Sequence, residues 1–267
     1  VFAGAGTGKT RTLISRIVYM IKECNIQPYH ILAITFTKKA TNEMRERLEK
    51  QIENKAKFVH ISTIHSLCAN ILRRNATYLD YGRNFEVIDE EDQVKILNEI
   101  YKKSEINRRV LSPKVAIKAI GDFKNKSCLE LVGLLKTVYN EYQTFLKENN
   151  MMDFEDLLVL TYQLFKENPN ILEYYQDEFK YILVDELQDT NVVQYDIINL
   201  LCQKYENIFA VGDDDQSIYS FRGAKIENMM KFKEDHPKAK IIKLVENYRS
   251  TNMILKGSNA VIKNNKI

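Results

Sequence analysis

The stretch that most limits what this chain can fold into is its first ten residues, "VFAGAGTGKT". Two apolar residues run into a glycine-rich turn that closes on Lys9 and Thr10. An amphipathic pattern follows over residues 9–24, with Leu13, Ile17, Val18 and Ile21 at helical spacing. From Ala3 the stretch has the form A-x-x-x-x-G-K-T, a small-residue variant of the phosphate-binding loop. Its glycines let successive N–H groups converge on one anion, and the helix behind them adds its dipole at the same point. The candidate nucleotide-binding residues are therefore Ala3, Gly4, Ala5, Gly6, Thr7, Gly8, Lys9, Thr10 and Arg11. In such a loop the lysine reaches the β- and γ-phosphates and the threonine hydroxyl ligates Mg²⁺. An ordinary glycine turn is the competing reading, and the strand–loop–helix context argues against it. The loop indicates a nucleoside triphosphate and leaves open what its energy is used for.

Short β-branched runs at residues 31–36, 58–63, 181–186, 208–213 and 241–244 alternate with helical patterns such as residues 38–52 and 192–204. This alternation predicts an α/β fold, a parallel sheet flanked by helices, with ligands at the carboxyl ends of the strands. The middle differs. From Arg83 to Val211 there are two glycines, Gly121 and Gly133, and helical patterns recur at residues 89–104, 114–123, 130–148 and 154–166. Residues 73–165 read as an inserted all-helical subdomain, either a spacer or a grip for a partner.

Two further apolar runs end in polar groups. "YILVDELQDTN" delivers adjacent carboxylates to the sheet edge, where Asp185 can hold Mg²⁺ through water and Glu186 can orient and deprotonate an attacking water. "AVGDDDQSIYSFRGA" brings Gln216, an amide able to sense a γ-phosphate, followed by Tyr219, Phe221 and Arg222. Aromatic rings beside a cation make a platform for unpaired bases. The alternative is that both rings belong to the core.

A formal charge of +3 is too small to decide on a polyanionic partner. Cys24, Cys68, Cys128 and Cys202 have no metal or redox spacing and read as reduced thiols in a cytoplasmic protein. His30, His60, His65 and His236 form no metal-binding pattern, and no apolar stretch is long enough to span a bilayer. Val1 already lies in the strand feeding the loop, and "KNNKI" ends the chain after a helical pattern. The chain is thus expected to be a piece of a longer polypeptide.

The blocks "AGAGTGKT", "AITFTKKATNEMRERL", "STIHSLC", "DFEDLL", "VDELQDTN", "VGDDDQSIYSFRGA" and "LVENYRST" span nearly the whole chain. In that order they resemble the N-terminal part of superfamily 1 DNA helicases of the UvrD/PcrA/Rep type. The resemblance implies a RecA-like P-loop NTPase. Residues 1–72 and 166–244 would form the first motor domain, residues 73–165 its helical subdomain, and residues 245–267 the start of a second motor domain. It implies ATP hydrolysis with Mg²⁺, coupled to 3′–5′ translocation on single-stranded DNA and to duplex unwinding. The implied partners are single-stranded DNA, junctions of single and double strands, and repair or replication proteins. Catalytic roles fall on Lys9, Asp185, Glu186, Gln216, which couples the γ-phosphate to DNA contacts, and Arg249, which reaches the γ-phosphate.

DNA-facing roles fall on Thr35, Phe36, Lys38, Thr63 and His65, together with Tyr219, Phe221 and Arg222. Phe221 stands where the best-known relatives carry Trp, which implies a smaller stacking area. Asp153, in "DFEDLL", is implied to be structural, at the subdomain junction. The family's adenine-recognising segment would lie ahead of Val1. A chain of this extent is not expected to unwind DNA alone. The rival readings are the motor subunit of a helicase–nuclease complex, a non-catalytic DNA-binding module with a degenerate motor fold, and a phosphate-loop kinase.

Overall fold

The computed structural model describes residues 1–4, 6–213 and 227–262. Its elements run β1 (Phe2–Ala3), α1 (Lys9–Lys22), β2 (Ile31–Thr35), α2 (Lys38–Ile52), β3 (His60–Thr63), α3 (Ile64–Asn75), β4 (Glu86–Val87), α4 (Glu90–Lys103), α5 (Pro113–Lys124) and α6 (Gly133–Glu148). They continue with β5 (Met151–Met152), α7 (Asp156–Glu167), α8 (Pro169–Glu178), β6 (Tyr181–Val184), α9 (Val192–Cys202), β7 (Ile208–Ala210), α10 (Glu227–Asp235), β8 (Lys243–Leu244) and α11 (Asn252–Ile262). The chain divides into two compact units. One comprises Val1–Thr63, Tyr175–Thr190 and the residues from Leu201 onward; the other comprises Ile64–Tyr174 and Asn191–Leu200.

The first unit is a parallel sheet with helices packed on it. β2 is buried at every position and pairs in parallel with β3 on one side and β6 on the other. A strand paired on both edges and covered on both faces has no solvent side, which is why "ILAIT" is almost continuously apolar. β7 follows β6 in the order β3-β2-β6-β7, while β1 pairs in parallel with β8. The two groups are joined where Phe2 bridges Gly212: the Ala3 N–H donates to Gly212 O at 3.0 Å and the Gly212 N–H to Val1 O at 3.1 Å. The chain leaving β7 therefore runs between β1 and β6, and all these strands point their carboxyl ends to one edge.

Leu13, Ile17 and Ile21 of α1 and Met44 and Leu48 of α2 close over Ala33, Ile61 and Leu183. Each such side chain stabilises the unit by about 1.5–3 kcal/mol. α2 begins where Thr37 Oγ1 accepts the Ala40 N–H at 3.1 Å, a threonine N-cap.

The second unit is built mainly of helices. Ile96, Leu97 and Ile100 of α4, Ala116 and Ile120 of α5, and Val138, Tyr142 and Leu146 of α6 form its core. Asp89 caps α4 by accepting the Asp92 N–H at 3.0 Å, with acids in the first turn and Lys102 and Lys103 in the last, as the helix dipole favours. The expectation of an all-helical insertion is corrected in one respect. β4 and β5 pair in parallel, Glu86 with Met151 and Val87 with Met152, because backbone groups entering this core between helices must find partners.

Beside that core lies a buried ionic cluster. Lys124 Nζ stands 2.6 Å from Asp153 Oδ2 and 2.8 Å from Asp156 Oδ1, and all three side chains are 1% exposed. Tyr142 Oη and Gln93 Nε2 also donate to Asp153 Oδ2, at 3.1 and 3.3 Å. The partners recorded for Asp153 thus belong to this unit.

Candidate nucleotide-binding site

β1 delivers the glycine loop and β6 delivers the acids, both within the first unit. Thr7 Oγ1 donates to Gly4 O at 2.7 Å and so closes the turn from within. Gly8 caps α1 with φ 91°, and Gly6 has φ 74°, the left-handed region where a side chain is strained. A Cβ on Gly6 would lie 2.6 Å from Arg249 Cβ and 2.9 Å from Asn247 Nδ2. The Tyr248 N–H donates to Gly6 O at 3.0 Å, while Asn247 Oδ1 accepts the N–H groups of Arg249 and Ser250, each at 2.9 Å. The "NYRS" turn therefore sits directly on the loop backbone. Ala5 lies outside the described residues, and Arg11 is exposed on the first turn of α1.

Lys9 is 8% exposed, and its Nζ donates to Glu186 Oε2 at 2.8 Å, joining residues 177 positions apart. The Thr10 hydroxyl is close enough to the Asp185 carboxylate to favour its ionised form. Among the described residues, Asp185 Oδ1 is buried without a hydrogen-bond partner, and so is Asp189 Oδ1. Burial, reinforced by the charge of Glu186 and opposed by Lys9, holds both the Asp185 and the Asp189 carboxyl groups up at about 6. Three carboxylates thus face one ammonium, an excess of negative charge that a divalent cation would relieve. Asp185 Oδ1, buried and without a hydrogen-bond partner among the described residues, is an oxygen such a cation would satisfy. Among the described residues no group of three or more His, Cys, Asp or Glu side chains could cage a metal. The oxygen donors at hand, the Asp185 carboxylate and the Thr10 hydroxyl, are of the type that suits a hard divalent cation.

Two residues of this site were not singled out in the sequence, Gln188 and Asp189. Gln188 is 1% exposed; its Nε2 donates to Glu186 Oε2 at 2.8 Å and its Oε1 accepts the Asp213 N–H at 3.0 Å. The available signal was three consecutive polar residues, Gln188, Asp189 and Thr190, directly after an apolar strand and its acids.

The residues expected to face DNA fall in several places. Thr35 ends β2 at 1% exposure, with its Oγ1 2.6 Å from Thr41 Oγ1. Phe36 follows it half-buried, Lys38 opens α2 exposed, and Thr63 ends β3. His65, in the first turn of α3 in the second unit, stacks on Phe154 with ring centroids 4.1 Å apart and 25° between planes. Burial holds its imidazole down at about 4, so at neutral pH it is an uncharged ring. Gln216, Tyr219, Phe221 and Arg222 lie outside the described residues.

Comparison with known families decides the relationship. The UvrD/REP helicase N-terminal domain matches residues 1–237. The chain belongs to the UvrD/REP helicase family. The UvrD/REP chain described here is 45% identical over 275 aligned residues to a Staphylococcus aureus protein named ATP-dependent DNA helicase PcrA, and equally so to its Staphylococcus epidermidis counterpart. Each alignment takes in 99% of this chain and 38% of the relative, so the chain spans well under half the length of these curated UvrD/REP relatives. No helix among its described residues is long and apolar enough to cross a membrane.

Proposed function

We propose that this chain carries the nucleotide-hydrolysing half of an ATP-dependent DNA helicase, one that couples ATP hydrolysis to 3′–5′ movement on single-stranded DNA and to duplex unwinding. The observation that carries the reading is the meeting of Lys9, Thr10, Asp185 and Glu186 at the head of α1. The loop amides and Lys9 hold the triphosphate. Thr10 and Asp185 hold Mg²⁺, which when bound neutralises charge on the phosphate oxygens. Glu186 aligns the attacking water and accepts its proton, and Arg249, whose Cβ abuts Gly6, brings a second cation to the γ-phosphate. Thr35, Phe36, Lys38, Thr63, His65, Tyr219, Phe221 and Arg222 form the DNA-facing set, and Gln216 links it to the nucleotide.

The domain plan we propose is a RecA-like motor domain over residues 1–72 and 166–244, a helical subdomain over residues 73–165, and the start of a second motor domain at residues 245–267. The two compact units support it in outline. Working on single-stranded DNA and its junctions alongside repair or replication proteins, the protein would act in the cytoplasm.

The test is ATP turnover by the protein as the cell makes it, with and without single-stranded DNA. Stimulation by DNA is expected. Lys9→Ala should abolish turnover and leave DNA binding in place, and Phe221→Ala should weaken DNA stimulation more than basal turnover. Unchanged turnover in Lys9→Ala, or DNA binding without any hydrolysis by the unaltered protein, would refute the reading; the latter result would favour a non-catalytic module.

A further inference from the structure

Glu186 is held in an unfavourable backbone conformation, φ 52° and ψ 52°, at the turn after β6. Such a conformation costs about 1–3 kcal/mol and persists only where its surroundings over-determine it. Two donors converge on its Oε2, Lys9 Nζ at 2.8 Å and Gln188 Nε2 at 2.8 Å. They are not equivalent. Lys9 projects from the first residue of the helix behind the glycine loop, so a bound triphosphate competes with Glu186 for its charge, and the triphosphate carries more of the opposite sign. Gln188 is neutral, so a triphosphate exerts no such pull on it; its Nε2 also makes a longer contact with Asp189 Oδ2, at 3.5 Å. It is 1% exposed, and its amide is fixed at both ends, donating to Glu186 and accepting the Asp213 N–H at 3.0 Å. A flipped amide would set oxygen against the Glu186 carboxylate and N–H against N–H at Asp213, two repulsive contacts in place of two hydrogen bonds. The turn itself is pinned by Leu187 N–H to Val211 O at 3.0 Å and by Thr190 Oγ1 to Leu187 O at 2.7 Å.

We infer that Gln188 is a positioning residue for hydrolysis: it keeps Glu186 aimed after nucleotide has drawn Lys9 away, and it references that aim to the main chain that follows β7, at Asp213. This rests on the ATPase reading above. In the nucleotide-free protein the Lys9–Glu186 ion pair and the Gln188 amide share the task; with nucleotide bound, the amide carries it alone.

Gln188→Glu is the discriminating variant, because the new side chain still accepts from Asp213 while it sets a carboxylate where Glu186 had a donor. Expected is a fall in kcat of about 10- to 100-fold, the scale of a misplaced catalytic group. The Kd for a fluorescent ATP analogue should stay within about twofold and Tm within a few degrees. Gln188→Leu, which removes both contacts, should lose kcat at least as far. In a Glu186→Gln background, Gln188→Glu should add no further loss to the residual rate, since the two residues act as one unit.

If kcat in Gln188→Glu stays within twofold of the unaltered protein, the inference is overturned. It is equally overturned if kcat, nucleotide affinity and Tm fall together, which marks a merely structural amide. Absence of turnover in the unaltered protein would remove the ATPase reading and this inference with it. Normal turnover there, with Gln188→Glu unaffected, removes the inference alone.

Discussion

Replacing Lys124 with Met tests how the helical unit tolerates charge in its interior. Methionine keeps most of the length and apolar bulk of the side chain and removes the ammonium that stands 2.6 Å from Asp153 and 2.8 Å from Asp156. Breaking a buried ion pair from one side costs about 3–5 kcal/mol, a large share of the 5–15 kcal/mol that holds a typical domain together.

The cost depends on pH, with a sign fixed by linkage. In the intact cluster, burial outweighs Lys124 at Asp156 and holds its carboxyl up at about 7, whereas Asp153 is held below its ordinary value by Lys124 and its hydrogen bonds, against burial. Without the ammonium both carboxyls rise, so the folded state must hold protons that the unfolded chain releases above about pH 4. A group raised on folding stabilises at low pH and loses that contribution as pH rises, at up to about 1.4 kcal/mol per pH unit per proton. The deficit of Lys124→Met should therefore be smallest near pH 5 and widen by about 1.4 kcal/mol per unit toward pH 8. Urea unfolding followed by circular dichroism at pH 5, 6, 7 and 8 measures it. Adding Asp156→Asn should recover part of the loss at pH 8 and little at pH 5. A deficit that is flat with pH, or below about 1 kcal/mol throughout, would refute this account of the cluster.

Gly6→Ala should weaken binding of a fluorescent ATP analogue by about tenfold or more, from a strained φ and a clash with Arg249. Gly4→Ala, whose Cβ would meet Thr7 Cγ2 at an ordinary 3.8 Å and nothing nearer among the described residues, should bind normally. Burial pushes the Cys68 and Cys202 thiols up to about 12, so iodoacetamide at pH 8 should label the exposed Cys24 in native protein and spare those two until urea is added, as peptide mass mapping would show. Because burial depresses His65, the unfolded chain binds the extra proton between pH 6.5 and 4, and stability should fall on acidification by up to about 1.4 kcal/mol per unit. His65→Phe keeps a ring on Phe154 and should remove that part of the acid sensitivity in the same urea series.

The sheet and its helices were legible because apolar periodicity is a local signal. α2 spans Lys38–Ile52, the same residues its pattern marks. Strand ends were read too long for a physical reason: residues 181–186 look like one run, but the strand stops at Val184 and the chain turns at Glu186 into a left-handed conformation that no side-chain pattern encodes. α8 went unread because it buries little, Tyr175 and Gln176, and so carries no clear stripe. The acids and the lysine of the candidate site were found from motif chemistry. Gln188 was not, because its importance lies in a hydrogen bond to Asp213, 25 positions away. Lys124 gave no signal either: in "GDFKNKS" it resembles Lys126, yet one is buried in an ion cluster and the other is half exposed. Which charges go inside is settled by tertiary packing.

The main chain just after β7, at Gly212–Asp213, is tied on one side to Val1 and Ala3, and on the other, through Val211 and Asp213, to Leu187 and Gln188. This short length of main chain is thus bonded at once to the strand that feeds the glycine loop and to the turn that carries the acids. A shift of the main chain at Gly212 must be shared by both, because the hydrogen bonds on its two sides leave neither one independent of it.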